Sequence, residues 1–233
     1  MTDSSQSRPN ICIILPCLNE ESTVGKVIDE IPKQTLEEAG YQVEVLVVDN
    51  NSRDRTGEVA RERGVRIITE PVRGKGRAVR TALNLAKADF IFILDADYTY
   101  PATYIPEMLD ILNQDYHVVI GSRIRGKRDR GAIGFINIVG NILLTVMANM
   151  LYLTRISDIC TGYWGIRGEI IPSLKLMANG FTFEAELFSE IAKKGYRIAE
   201  VPIYYRHRQG ETKLNRLKDG IKIAWMLLTK RFS

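Results

Sequence analysis

The sequence predicts an α/β fold with a doubly wound, mostly parallel sheet. Short apolar segments such as "ICIIL" (11–15) and "VEVLVV" (43–48) alternate with longer amphipathic segments, which is typical of strands connected by crossover helices. Polar clusters follow directly after several of these apolar segments. Because ligands of such sheets bind at the carboxyl ends of the strands, these clusters predict the position of a functional site.

The elements follow one another in a regular order in the first half of the chain and a looser order in the second. In the first half, strands are predicted at 11–15, 43–48, 65–69 and 90–94, with helices at 20–33, 54–64 and 74–88. In the second half, we expect strands at 117–123 and 197–205 and helices at 132–154, 181–195 and 216–233. The predicted organisation is a polar tail (1–9), one domain (10–215) and a basic amphipathic helix (216–233).

The composition is that of an ordinary globular protein. Of the 233 residues, 45% are hydrophobic and 26% are charged, which argues against disorder. The net charge of +4 is too small to predict a nucleic-acid partner. The three cysteines are odd in number and widely spaced, so we expect free thiols in a reducing compartment. The polar amino terminus predicts no signal peptide.

Two acidic residues end the most apolar predicted strand. Asp95 and Asp97 follow "FIFIL" with one residue between them. If the strand continued through Asp97, both carboxylates would point to the same side and would repel each other unless a cation lay between them. Mg²⁺ takes one or two carboxylates together with substrate phosphates, so the pair predicts a site for a divalent metal and a diphosphate. The alternative is that both residues make turn and cap hydrogen bonds.

Further polar residues are predicted at the same edge of the sheet. Asp49 and Glu20 follow the second and first strands and either contact a nucleotide or stabilise helix ends. The segment "RGKGRA" (73–78) suits a phosphate but lacks the spacing of a Walker loop. Arg123 and Lys213 either bind a phosphate or are solvated surface cations.

An uncharged segment of 23 residues, 132–154, follows a run rich in Arg and Lys, 123–131. The segment is long enough to span a bilayer. On a helix, however, four polar residues spaced by four form a stripe, which favours an amphipathic helix at a membrane surface. The residues of the stripe are Asn137, Asn141, Thr145 and Asn149.

Several motifs of the chain occur in the order seen in family 2 glycosyltransferases. They are "PCLNEE", "VVDNNSRDRTGEVA", "LDADYTYP", "VIGSR", "FTFEAELFSEIAKKGYRIAEVPI" and "GETKL". Over residues 10–215 the chain resembles, more narrowly, the polyprenyl-phosphate (dolichyl-phosphate) sugar synthases. The resemblance implies a GT-A fold, a nucleotide-sugar donor and Mg²⁺ or Mn²⁺. It implies phosphate contacts from Arg123 and Lys213, metal ligation by Asp97 with Asp95, and catalytic roles for Asp97 and Arg123. The residues that it implies for contacts with the donor are Pro16, Leu18, Glu20, Val47, Asp49, Asp95, Ala96 and Asp97.

Three positions depart from the family's pattern, one of them from that of its mannose-transferring members. Thr99 stands where those members usually have a glutamine, Leu18 replaces a common tyrosine, and His207 stands where an arginine is usual. The segment "DADYTYP" is more similar to archaeal members that use a UDP donor. The resemblance therefore favours UDP-glucose or UDP-N-acetylglucosamine, with GDP-mannose as the alternative.

The nature of the acceptor is indicated by a missing motif. Transfer to a sugar hydroxyl needs a general base, and the sequence shows no clear one, although Asp158 and Glu184 remain candidates. A phosphate acceptor is already an anion and needs no base. We therefore expect inverting transfer of a hexose to dolichyl or polyprenyl phosphate, for glycan assembly or protein glycosylation. The alternatives are a sugar nucleotidyltransferase and a non-catalytic sugar-nucleotide-binding protein.

The uncharged segment and the basic residues also lead to an expected location. We expect a peripheral enzyme on the cytoplasmic face of a membrane, acting alone or with a membrane-protein partner.

Overall fold

The structure is a computed structural model that describes residues 8–209 and 216–233. Its strands are β1 (Asn10–Cys17), β2 (Gln42–Asp49), β3 (Arg66–Thr69), β4 (Phe90–Ile93), β5 (Val118–Ser122), β6 (Trp164–Arg167) and β7 (Ile198–Pro202). Its α-helices are α1 (Val24–Glu30), α2 (Lys33–Glu38), α3 (Thr56–Arg61), α4 (Lys75–Leu85), α5 (Ile105–Leu112), α6 (Phe135–Tyr152), α7 (Phe183–Lys193) and α8 (Arg216–Phe232).

The seven strands form one sheet in the order β3-β2-β1-β4-β6-β5-β7. All neighbouring pairs are parallel except those that involve β6, which runs antiparallel to both β4 and β5. The predicted doubly wound, mostly parallel sheet is therefore confirmed.

Helices cover both faces of the sheet, and each face has its own hydrophobic core. One core packs α4, α6, α7 and α8 on the sheet, and the other packs α1, α2, α3 and α5. The chain leaves the carboxyl ends of β1, β2 and β4 through polar loops. This edge is where the sequence predicted the site.

Each predicted strand and helix is present with shifted ends. One strand and two α-helices were not predicted, and neither were two short 3₁₀ helices, Ala102–Tyr104 and Gly168–Ser173. Strand β6 begins in the mixed segment "TGYWGIRG", which has no clear alternation, and α2 and α5 are short helices in connections. Helix α8 packs against α6 and α7 and buries Ile223 and Leu227. The predicted domain boundary at residue 215 falls outside the described residues and stays a prediction.

Candidate active site

One cavity of about 790 Å³ lies at the carboxyl edge of the sheet. Most of the residues predicted for the donor site line it, namely Pro16, Leu18, Glu20, Asp95, Ala96, Asp97 and Arg123. Val47 is fully buried in the core, and Asp49 ends β2 with its carboxylate accepting the backbone N–H of Ser52 at 3.0 Å. Neither lines the cavity, whereas the next residue, Asn50, does. Lys213 lies outside the described residues.

The acid pair does not continue the strand, so the condition under which both carboxylates would point to the same side is not met. Strand β4 ends at Ile93, and the chain turns at Ala96 and Asp97. The two carboxylates therefore have different partners. Gly162 makes room for Asp95, because a Cβ atom at that position would lie 2.2 Å from Asp95 Oδ2.

Asp95 is held by Lys75 from the first residue of α4. Lys75 Nζ lies 2.5 Å from Asp95 Oδ1 and 2.6 Å from Glu184 Oε1 on α7. Burial disfavours the ammonium, but the two carboxylates outweigh it and raise the pKa of Lys75 above its ordinary value. The lysine therefore remains a cation in the wall of the cavity.

Asp97 is held from two sides. Its Oδ1 accepts the backbone N–H of Thr99 at 3.1 Å and the Thr99 hydroxyl at 2.5 Å. Its Oδ2 lies 3.2 Å from Arg208 Nη1, and Arg208 Nη2 lies 3.6 Å from Glu20 Oε1. Burial and the charge of Asp95 still raise the pKa of Asp97, although Arg208 and Thr99 oppose them.

The acid pair suits a hard divalent cation. Carboxylate oxygens are the ligands that Mg²⁺ and Mn²⁺ prefer. A dication would offset both the burial and the repulsion from Asp95 that raise the pKa of Asp97. No group of three or more potential metal ligands occurs in the described part of the chain. This is compatible with a metal that takes its remaining ligands from substrate phosphates and water.

Arg123 is anchored by a buried carboxylate. Its Nε and Nη2 donate to Asp158 at 2.8 and 2.7 Å, and its backbone N–H donates to the same carboxylate at 2.9 Å. Asp158 is fully buried. Burial alone would raise the pKa of Asp158, but the adjacent guanidinium lowers it below its usual value. Nε and Nη2 of Arg123 are thus engaged within the protein, whereas Nη1 makes no hydrogen bond to another described residue.

Neither candidate base is available as a free carboxylate in the described structure. Asp158 is engaged by Arg123, and Glu184 is paired with Lys75. Cys160 also lines the cavity, and burial raises the pKa of its thiol to about 12, so it is not a thiolate at neutral pH. The site therefore offers cations and an acid pair rather than a free base or a nucleophile.

Part of the cavity lining is apolar. It comes from the loop before α6, from α6 and from α8, and includes Ile133, Ile136, Leu143, Leu144, Ile221 and Ile223.

Sequence reasoning missed three polar residues that organise the site. Lys75 lies in the segment that was predicted to bind phosphate, but its pairing with Asp95 joins residues 20 positions apart and has no local signal. Arg208 lies 111 positions after Asp97, and nothing in its local sequence predicts their contact. Asn50 donates to the backbone of Glu70 and Val72 at 3.0 and 2.8 Å and thereby holds the loop before α4 against the strand ends.

The fold, a mostly parallel seven-stranded sheet between two layers of helices, is that of GT-A glycosyltransferases. The family model described as "Glycosyl transferase family 2" matches residues 12–174. The chain therefore belongs to glycosyl transferase family 2.

Among the most similar relatives is the dolichyl-phosphate hexose transferase of Haloferax volcanii. It is 36% identical over 215 residues, which cover 92% of this chain and 91% of the relative. The dolichol-phosphate mannosyltransferase of Pyrococcus furiosus is 26% identical over 214 residues, or 88% of this chain and 59% of the relative.

The crystal structure of glucosyl-3-phosphoglycerate synthase from Mycobacterium tuberculosis, in complex with Mn²⁺, UDP-glucose and phosphoglyceric acid, shares the fold. It matches with a TM-score of 0.75 at 23% identity, covering 96% of this chain and 80% of that one.

Proposed function

We propose that this protein transfers a hexose from a nucleotide-sugar to a polyprenyl phosphate such as dolichyl phosphate, with inversion at the anomeric carbon. The cavity carries the proposal, because an acid pair, cations and the apolar residues of α6 and α8 line the same space. A nucleotide-sugar suits the polar side chains, and a lipid phosphate suits a cation together with the apolar ones. The Haloferax relative, whose name gives dolichyl phosphate as its substrate, supports the same acceptor.

The chain's own polar residues would receive the donor diphosphate. Arg208 faces Asp97 and Glu20, and its Nε is buried without a hydrogen-bond partner in the part of the chain that the structure describes. Such a donor costs free energy unless an acceptor reaches it, and a phosphate oxygen is one. Mg²⁺ or Mn²⁺ held by Asp97 with Asp95 would neutralise the charge of the leaving diphosphate.

Arg123 would hold the lipid phosphate. Asp158 fixes the guanidinium, and the free Nη1 can donate to a phosphate oxygen. That oxygen attacks the anomeric carbon while the bond from this carbon to the nucleoside diphosphate breaks. Because the attacking oxygen is already anionic, no general base is needed, in agreement with the engaged states of Asp158 and Glu184.

The outer faces of α6 and α8 suit a membrane surface. Among the described residues, α6 has the length and composition that would allow a membrane span, but its polar side is bonded to the domain, so we propose that it lies at the surface. Exposed apolar side chains on the two helices include Phe135, Leu143, Met150, Ile221 and Trp225. The loop before α6 adds the exposed cations Arg125, Lys127, Arg128 and Arg130. We place this peripheral enzyme on a cytoplasmic leaflet, alone or with a membrane-protein partner, where its product would enter glycan assembly or protein glycosylation.

Membrane binding should be reversible and sensitive to salt. Cations near an anionic leaflet contribute about 1 kcal/mol each, and at about 1 M salt the Debye length falls to about 3 Å. We expect the purified protein to sediment with vesicles that contain phosphatidylserine at low salt and to be partly released at high salt. If the protein left the vesicles only when detergent was added, α6 would instead span the membrane. If the protein did not bind vesicles at any salt concentration, a membrane-bound acceptor would be contradicted.

The donor can be identified by thermal stabilisation. A ligand at about 100 times its dissociation constant adds about 2.7 kcal/mol to the free energy of unfolding. With Mn²⁺ present, we expect UDP-glucose or UDP-N-acetylglucosamine to raise the melting temperature more than GDP-mannose. A larger shift with GDP-mannose would make the protein a mannosyltransferase.

Release of the nucleoside diphosphate tests the proposed reaction. We expect release from the preferred donor to depend on added polyprenyl phosphate. A sugar nucleotidyltransferase would instead consume a sugar phosphate and a nucleoside triphosphate and release pyrophosphate, and a non-catalytic binding protein would release nothing. Either of these results would contradict the proposal.

A further inference from the structure

Helix α6 has its polar side facing the protein and its apolar side facing outward. Asn141 and Thr145 are only 7% and 4% exposed, whereas Leu143 and Met150 are 66% and 74% exposed. The outward side suits a lipid surface. The inward polar side needs its own explanation, because polar groups buried in a core cost free energy unless they are hydrogen-bonded.

The inward polar residues bind one connection, the segment 154–160 between α6 and β6. Asn149 donates to the carbonyl of Ile156 at 2.8 Å and accepts its N–H at 3.0 Å. Thr145 Oγ1 accepts the N–H of Ile159 at 3.2 Å. Through these contacts the helix fixes the backbone on both sides of residue 158.

Asn141 differs from the other polar residues of the stripe because it reaches a side chain of the site. Its Nδ2 donates to Asp158 Oδ1 at 2.7 Å, and its Oδ1 accepts the N–H of Cys160 at 3.2 Å. Asp158 Oδ1 also accepts from Arg123 Nη2 at 2.7 Å. A direct chain of hydrogen bonds therefore runs from α6 to the guanidinium in the cavity.

We propose that Asn141 and Asp158 are positioning residues that hold Arg123 for the acceptor phosphate, so that the helix facing the membrane also sets the geometry of the acceptor site. The inference rests on the proposed function, because it assigns the acceptor phosphate to Arg123. Arginine has a long, flexible side chain, and a phosphate contact through Nη1 requires a fixed guanidinium plane. Asp158 fixes that plane with two hydrogen bonds, and Asn141 fixes Asp158.

Asn149 provides a matched control that distinguishes positioning of Arg123 by Asn141 from a purely structural role of Asn141. Asn149 lies on the same stripe, two turns from Asn141, and is bonded to the same connection, but it makes no contact with Asp158. Asn149→Ala and Asn141→Ala each remove one amide that makes hydrogen bonds to this segment. A difference between the two variants in acceptor use therefore reports on Arg123 rather than on packing.

The test compares steady-state kinetics of the two variants with those of the wild-type protein, with polyprenyl phosphate in detergent micelles as the acceptor. Loss of the hydrogen bond to Asp158 should raise the KM for the acceptor about five-fold, as expected for one net hydrogen bond. The KM for the donor and the thermal shift with UDP and Mn²⁺ should stay unchanged. Asn149→Ala should keep the wild-type KM for both substrates.

Equal acceptor KM values for the two variants would overturn the inference and leave the proposed function intact. A wild-type protein that does not use polyprenyl phosphate would overturn both. If Asn141→Ala melts below the assay temperature, Asn141→Ser is compared with Asn149→Ser. The serine hydroxyl is too short to reach both Asp158 and Cys160, so the same two outcomes apply.

Discussion

Asp97→Asn should abolish most metal-dependent turnover while the protein remains folded. The substitution keeps the side-chain shape and the acceptor for Thr99, but it removes the charge that would bind the metal. We expect turnover to fall about 10²-fold or more, on the scale of losing a main electrostatic stabiliser of the leaving group. The measurement is turnover as a function of Mn²⁺ concentration, together with the thermal shift caused by UDP and Mn²⁺.

Asp110→Asn is the matched control for Asp97→Asn. Asp110 lies exposed on α5 and does not line the cavity, so its loss of charge should change neither turnover nor the metal-dependent thermal shift. Unchanged turnover in Asp97→Asn would remove Asp97 from the metal site. A comparable loss in both variants would show that net charge, rather than metal binding, is responsible.

Arg123→Lys should lower turnover with polyprenyl phosphate while leaving donor binding intact. Lysine keeps a positive charge beside the buried Asp158, which avoids the large destabilisation caused by an unpaired buried charge. A single ammonium cannot replace the two hydrogen bonds of the guanidinium to Asp158 and also donate into the cavity. We expect turnover to fall about 10- to 100-fold, which corresponds to about 1.4–2.7 kcal/mol.

Arg125→Lys provides the control for Arg123→Lys. Arg125 is exposed, lies 3.6 Å from Glu200 and does not line the cavity, so its replacement should leave turnover near the wild-type value. If Arg123→Lys weakened the thermal shift with UDP and Mn²⁺ as strongly as it lowers turnover, Arg123 would belong to the donor site instead.

The general architecture was predictable because each parallel strand is marked by a short apolar run and a polar loop. Strand β6 was not predictable, because it pairs with β4 and β5 on both sides and its segment has no alternation that marks a strand. The polar stripe of α6 was visible as a period of four residues. Its partner, the connection at 154–160, became visible only in the structure.

The acidic residues of the site were predictable from their position after strands, whereas their partners were not. Lys75 on α4 contacts Asp95, and Arg208 in the loop after β7 contacts Asp97. Glu184 on α7 contacts Lys75. Only the folded chain brings these distant residues together. The same limit applies to Arg123. Its position at the end of β5 predicted a guanidinium at the site, but not the two hydrogen bonds from this guanidinium to Asp158.

The central claim is that the sugar becomes bonded to the phosphate of a polyprenyl lipid, and product extraction tests it most directly. The purified protein is incubated with Mn²⁺, dolichyl phosphate and a donor labelled in its sugar, with UDP-glucose, UDP-N-acetylglucosamine and GDP-mannose in separate reactions. With at least one donor, we predict label in the organic phase that mild acid releases as free sugar, as expected of a glycosyl phosphate. Label that remains in the aqueous phase with every donor, while the enzyme transfers sugar to a soluble hydroxyl acceptor, would contradict the account.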